Sequence, residues 1–329
     1  MRGIPPRILL ALLVISLAAS LLFRFHQPSV VQEQKTFPVL GTFATVIITS
    51  EEENLPAMFH CADSLLRYLD RELGRFSYTG AVHDLNTENS ASLDTELGHL
   101  ILLSDTLFQA TDGYFDPSLG LLVELWGFPE AGAVPDSSAI QEALQLTGWN
   151  RMVSVGIDSV YLQRGALLDF GAVAKGYAVD RTWELIMEMG AEECLVEAGG
   201  EIRCGSLTGR TWNVGVRHPR EDSLAGIIAI TQGAVATSGD YECFFIENGV
   251  RYSHLLNSST GYPSIEAAGA TVVADNCAAA DGMATAAAVA GPIKAEGFSR
   301  ELFQSMIIIT EEYDGSCEVH EFGAVPWAE

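Results

Sequence analysis

The sequence predicts an α+β fold in which largely antiparallel sheets pack against helices. Three observations carry this expectation. Apolar residues recur at helical spacing over four separated stretches, residues 55–73, 95–111, 175–189 and 275–289. Short β-branched runs divided by glycine turns lie between and after them. Helices and strand-like runs do not alternate as repeated β-α units, so a doubly wound sheet fits less well. Apolar content of 48% over 329 residues is enough for a real core, which excludes a chain disordered throughout.

The first 25 residues differ from the rest. They hold Arg2, Arg7 and Arg24 and no acid, and residues 8–23 form an apolar run broken only by Ser16 and Ser20. That is the charged and apolar pair of regions of an export signal. At 1.5 Å per residue the run spans about 24 Å, slightly short of a bilayer core of about 30 Å. Cleavage near Leu17-Ala18-Ala19-Ser20 and an uncleaved anchor ended by Arg24 and His26 both fit. Either reading places the remainder outside the cytoplasm, in a periplasm or on the outer face of the cytoplasmic membrane. Cys61 is the first cysteine, so lipid attachment at this end is unsupported. Residues 26–36 read as a linker and residues 37–329 as a single domain.

Within that domain, residues 39–49 are strand-like around Gly41. Residues 55–73 form a helix through Met58, Ala62, Leu65, Leu66, Leu69 and Leu73. Residues 76–92 are polar and irregular, with a turn at Thr79-Gly80. A helix over 95–111 ends before Gly113, and Asp116-Pro117 opens a mixed segment. Residues 129–136 are a loop and 137–147 a short helix. Residues 153–168 hold two strand-like pieces around Gly156 and Gly165. A glycine-rich turn leads into the helix from Lys175. Strands at 194–198, 202–206, 212–216, 226–231, 234–238 and 243–246 read as a meander, with one more at 269–274. An alanine-rich helix over 275–289 stops at Gly291-Pro292. Residues 306–310 and 316–320 form a terminal hairpin.

Forty-three acids stand against 18 bases, a net charge of −25; without residues 1–25 it is −28. Phosphate polymers are repelled by such a surface, so nucleic acid is a poor partner. Lysine is scarce: only Lys35, Lys175 and Lys294. The six cysteines show no C-x-x-C spacing. Cys194 and Cys204 flank a tight turn and are placed to face each other across a hairpin; alternatively all six are small buried apolar residues.

Four constellations can carry chemistry. In the first, residues 168–180, small residues and Gly171 and Gly176 let a ligand approach the backbone, and Lys175 adds a point charge suited to phosphate. It matches neither the P-loop nor the dinucleotide fingerprint; a plain strand-to-helix turn with a surface lysine is the competing reading. The second is Glu197-Ala198-Gly199-Gly200-Glu201, a turn for close approach or an ordinary hairpin. The third gathers Ala236 to Tyr241, Tyr252-Ser253-His254 and Ser259 to Pro263, with His254 as acid, base or structural histidine. No G-x-S-x-G elbow supports a serine hydrolase. In the fourth, Asp281 and Thr285 stand four apart on one helix face, a hard-oxygen pair suited to Mg²⁺ on phosphates, or else a cap and a back-bonded threonine. Together they suggest phosphoryl or nucleotidyl chemistry on a diphosphate.

These runs, in this order and spacing, resemble the FAD:protein FMN transferases of the ApbE family. Gly41-Thr42-Phe43, residues 76–86 and Gly113-Tyr114-Phe115-Asp116-Pro117 fit as well, so the resemblance spans residues 37–310. It implies an ApbE-like flavin transferase fold and Mg²⁺-dependent transfer of FMN from FAD to a threonine or serine of a target flavoprotein, releasing AMP. The acceptors it implies include subunits of membrane redox pumps. It places Asp281, Thr285 and the Ala172 carbonyl at metal positions. It puts Lys175, Gly176, Glu197, Gly199, Gly200, Ser238, Thr260 and Gly261 around the flavin nucleotide and makes His254 the catalytic histidine. Two positions depart from the family: Asn257-Ser258 replaces a frequent Asp-Pro, and Glu197 a frequent Asn. The alternatives are Mg²⁺-dependent FAD hydrolysis to FMN and AMP, and a flavin-binding module without catalysis.

Overall fold

The computed structural model describes residues 29–75, 77–128 and 132–328; the leader expected over residues 1–25 lies outside them. Residues 30–36, expected within the linker, are already strand. β1 (Val30–Val39) pairs residue for residue with β2 (Thr42–Glu51) across a turn where Leu40 and Gly41 take positive φ. β1 is a sheet edge and leaves most side chains exposed, so its Gln-Glu-Gln-Lys centre shows no alternation to read.

α1 (Leu55–Leu73) buries Met58, Phe59, Ala62, Leu66, Leu69 and Leu73 on one face. α2 (Ala81–Glu88) falls in the stretch expected to be irregular; it buries only Val82 and Leu85, too few for a visible period. β3 (Ser90–Ser92) precedes α3 (Glu96–Ala110), which Thr95 caps by accepting the Gly98 N–H. Then come α4 (Gly120–Trp126), α5 (Ser137–Gln145), α6 (Trp149–Met152), β4 (Val153–Val155) and β5 (Ser159–Leu162). β3, β5 and β4 make a small separate sheet, and no strand forms at Gly165.

The second half opens with α7 (Ala174–Glu188). Strands β6 (Glu193–Ala198), β7 (Glu201–Ser206), β8 (Trp212–Arg217), β9 (Leu224–Ile230) and β10 (Gly233–Gly239) follow. After them come β11 (Phe244–Glu247), β12 (Val250–Ser253), β13 (Gly269–Ala274), α8 (Cys277–Ala295), β14 (Ser305–Glu311) and β15 (Cys317–Gly323). Eight strands form one antiparallel sheet in the order β1-β2-β6-β7-β10-β13-β14-β15. One face carries the main core beneath α1, α7 and α8. The hairpin β8–β9 covers the other through Trp212, Val214, Ile228 and Ile230.

α8 is buried almost all round, as expected of a helix apolar on every side. Its alanines let it lie close against β10 and β13, whose facing residues Ala234, Ala236, Ala270 and Ala274 are equally small. At Gly291 the helix breaks (φ 70°, ψ 173°) and Pro292 opens a further turn, so the expected stop is an interruption. The register corrects the cysteine expectation: Cys194 lies opposite Gly205, and Leu195 opposite Cys204. One residue of offset puts the two thiols on opposite faces of the sheet, one in each core. Cys61, Cys194, Cys204, Cys277 and Cys317 are free thiols. No helix among the described residues is long and apolar enough to cross a membrane.

Candidate active site

Three elements bring charge to one end of the large sheet. Lys175 sits in the first turn of α7 and points inward, its Nζ 3.2 Å from Oε1 of Glu201 at the start of β7. The surface-lysine reading is thereby excluded. Glu201 is 1% exposed, and its Oε2 has no hydrogen-bond partner. Asp281 of α8, also 1% exposed, accepts the Gly176 N–H through Oδ2 at 3.0 Å. A Cβ on Gly176 would lie 2.5 Å from the Cys277 carbonyl oxygen, so only glycine allows the helices this close. The Gly176 N–H therefore goes to Asp281 and not back to the Ala172 carbonyl, which stays outside the helix ladder. Ser238 of β10 places its hydroxyl 3.0 Å from that of Thr285 on α8.

Burial would strip the Lys175 ammonium of its proton, but Asp281 and Glu201 outweigh it and hold the charge. Burial pushes Glu201 well above the usual carboxylate range, opposed by Lys175. Burial raises Asp281 too, opposed by Lys175 and the Gly176 amide. Glu242, between β10 and β11, is pushed up to about 7 by burial, against the pull of Lys175. One ammonium thus serves two buried carboxyls, Glu201 and Asp281, and the more exposed Glu242, and one buried oxygen of the set is unsatisfied. Such a group has the charge and the hard-oxygen chemistry for a divalent cation. No three His, Cys, Asp or Glu side chains cluster at metal-ligand spacing among the described residues. A cation here would draw further ligands from the Ala172 carbonyl, the Thr285 hydroxyl and phosphate oxygens, the usual manner of Mg²⁺.

Two clefts adjoin residues of the expected site. One, of about 440 Å³, is lined by Glu197, Gly199, Gly200, Arg217, Tyr241 and Glu242 among others. Its glycine turn requires φ of 69° and 106°, and Glu197 closes it by accepting the Gly200 N–H at 3.1 Å. The other, of about 470 Å³, includes Arg75, Tyr78, Asn86, Phe128, Leu168 and Asp169. Asn86 of α2 bonds both the N–H and the carbonyl of Leu168. Asp169 pairs with Arg75 at 2.7 Å and accepts the Gly171 N–H at 2.8 Å, fixing the entry to the glycine-rich turn.

His254 follows β12. Its N–H donates to the Cys243 carbonyl at 3.0 Å, and its Nδ1 lies 3.1 Å from the same oxygen. A carbonyl only accepts, so the ring proton sits on Nδ1 and Nε2 keeps its lone pair. Burial holds the pKa below the ordinary histidine value, with the Lys175 charge acting in the same direction, so the ring is neutral at pH 7. The Phe128 ring meets it edge-on at 6.5 Å. The hairpin that carries it rests on an aromatic cluster: Trp126 packs against Phe245, Tyr252 and Tyr262.

Lys175, Gly176 and Asp281 therefore lie together, and the Ser238–Thr285 pair sits one turn further along α8. Thr260 and Gly261 are held by a different part of the molecule. The Gly261 carbonyl accepts the Trp126 indole N–H at 2.8 Å, and the Thr260 hydroxyl accepts the Tyr262 N–H. Sequence reasoning did not single out Glu201, Glu242, Asp169, Arg75 or Asn86. Glu201 and Asp169 lay within the runs 197–201 and 168–180, and Asn86 within 76–86, while Glu242 and Arg75 carried no signal.

The sequence profile of the ApbE family matches residues 40–308. The chain is 32% identical over 290 residues to the FAD:protein FMN transferase of Treponema pallidum, covering 80% of each. It is 32% identical over 249 residues to that of Haemophilus influenzae, covering 69% of this chain and 68% of the relative. Among solved structures, the ApbE protein of Thermotoga maritima superposes with a TM-score of 0.79 at 31% identity, over 88% of this chain and 96% of the other. The flavin transferase ApbE of Vibrio cholerae gives 0.79 at 25% identity, over 89% and 97%. Family profile, relatives and fold agree: the chain belongs to the ApbE family.

Proposed function

We propose that the protein moves FMN from FAD onto a threonine or serine side chain of an acceptor flavoprotein, with Mg²⁺ as cofactor and AMP as the leaving group. The observation that carries this reading is the buried group of Lys175, Glu201 and Asp281, with one carboxylate oxygen unsatisfied. The names of the relatives support the flavin chemistry. The Lys175 ammonium faces the diphosphate and offsets its charge. His254, neutral with Nε2 as acceptor, takes the proton of the incoming hydroxyl. The hydroxyl oxygen bonds to the FMN-side phosphorus as the bond from that phosphorus to the bridging oxygen breaks, and AMP departs with the electron pair. Asp281, Thr285 and the Ala172 carbonyl are the groups of the chain that would hold Mg²⁺. When bound, Mg²⁺ supplies charge neutralisation at the diphosphate oxygens.

The leader supports export, so the acceptor is an exported or membrane flavoprotein of the kind found in redox pumps. The experiment is incubation of the protein with FAD, Mg²⁺ and acceptor domains, reading acceptor mass and free AMP. An FMN-sized addition with equimolar AMP is expected. Free FMN and AMP without an adduct would make the protein a hydrolase, and FAD binding without AMP would make it a carrier. His254→Ala should abolish transfer while retaining FAD binding; unchanged transfer would remove its role as base.

A further inference from the structure

Helices α7 and α8 are stitched together twice, in opposite directions. Asp281 of α8 accepts the Gly176 N–H in the first turn of α7. Asp180 of α7 accepts the N–H groups of Cys277 and Ala278, the first two residues of α8, at 2.8 Å each. Asn276 takes the next, that of Ala279, at 2.9 Å. Each helix thus has its N-terminus capped by a carboxylate of the other, and the first three donors of α8 are all satisfied. Asp180 is 6% exposed, and its charge is met by Arg203 of β7 at 2.7 Å. Arg203 also reaches Glu184 at 3.0 Å and lies over the Trp183 ring at 4.3 Å. β7 is the strand that opens with Glu201, the partner of Lys175.

One carboxylate of α7 therefore bonds the other two elements that deliver the site residues, and none of its bonds goes to a site residue itself. We propose that Asp180 is a positioning residue for the phosphate and cation site, setting the register of α8 against α7 and so the place of Asp281 and Thr285 beside Lys175. The role rests on the flavin-transfer reading for its chemistry, but its geometry stands apart from it. Without the Asp180 cap, α8 is free to slide from α7. Asp281 then leaves Gly176, whose N–H turns back to the Ala172 carbonyl and occupies an oxygen the cation would use.

Asp180→Asn keeps the side-chain shape but sets an NH₂ group against one of the amide donors. Mn²⁺ binding to the full chain with FAD, read by electron paramagnetic resonance, reports the site without turnover. Outer partners of a metal site cost about 10–100-fold in affinity when changed, and that weakening is expected. Transfer at saturating Mn²⁺ should recover, and the amides of residues 174–178 should exchange faster. Val216→Ala, in the apolar layer on the other face of the sheet, controls for lost stability alone. Wild-type Mn²⁺ affinity in Asp180→Asn, or equal weakening in Val216→Ala, would overturn the proposal. If the wild type binds Mn²⁺ but flavinylates no acceptor, the transfer reading falls and the positioning role stands. If the wild type binds no Mn²⁺, both fall.

Discussion

Asp180 and Asp281 are buried carboxylates on facing helices, and each caps the other's helix. Burial pushes both above the ordinary aspartate range. Their surroundings differ. Asp180 accepts two amide donors and an arginine, so its oxygens are spent inside the protein. Asp281 accepts one amide and shares a single ammonium with Glu201 and Glu242. A carboxylate with every lone pair engaged holds a structure together; one left short of donors is held ready for a ligand. Burial alone does not separate the two roles. The accounting of donors does.

The sharpest way to break this contrast is to remove each carboxylate in turn. Asp180→Ala leaves Arg203 with Glu184 as its one remaining carboxylate and two buried amides uncapped, and should cost about 3–5 kcal/mol of folding stability in denaturant titration. Asp281→Ala removes one of three mutually repelling carboxyls, which offsets the lost Gly176 bond, so the ligand-free stability should move by less than about 1 kcal/mol. Its transfer rate should fall about 10³-fold, equivalent to about 4 kcal/mol of transition-state stabilisation. Equal stability losses in the two variants would erase the distinction.

The same shortage of donors sets a pH dependence. Glu242 titrates at about 7 in the folded protein against an ordinary 4.5, with burial as the main cause. A raised folded pKa gives stability that is full below 4.5 and lost as pH climbs to 7. Glu242 is exposed to solvent, which screens its charge, so the ligand-free protein should weaken across that window by about 1 kcal/mol, well under the full worth of the shift. Glu242→Gln should flatten this part of the profile of Tm against pH. A profile that keeps its slope would show that Glu242 ionises freely and that the cluster is not short of donors.

The comparison also shows what could be read from the chain alone. Helical period gave α1, α3, α7 and α8 because each hides one face or is hidden entirely. Lys175, Asp281 and Thr285 were visible as an isolated lysine and an i, i+4 oxygen pair. The partners of those residues were not. Glu201 meets Lys175 only because β7 lies beneath α7, and Asp180 meets Cys277 across 97 residues of sequence. α2 was invisible because two buried residues make no period, although it carries Asn86 to the glycine-rich turn. The cysteine pair failed for a related reason: facing across a hairpin depends on register, which turn residues do not fix by themselves.

The smallest expected effect tests the ligand-ready side most finely. Ser238 and Thr285 share one hydrogen bond of 3.0 Å between β10 and α8, inside a layer of alanines. A hydroxyl has one proton and two lone pairs, so when Thr285 accepts from Ser238 its own proton is free to turn away. When Thr285 donates, its lone pairs would be left for a cation. In both arrangements Ser238 orients the Thr285 oxygen without adding charge. Ser238→Ala removes about 1 kcal/mol of hydrogen bonding and leaves Asp281 in place. The Mg²⁺ concentration for half-maximal transfer should rise by about fivefold, the equivalent of that 1 kcal/mol, with little change in the maximal rate. Ser238→Thr, which restores a hydroxyl, should recover most of the loss. A fall in maximal rate at unchanged Mg²⁺ dependence would place Ser238 at the flavin instead, as the family resemblance implies.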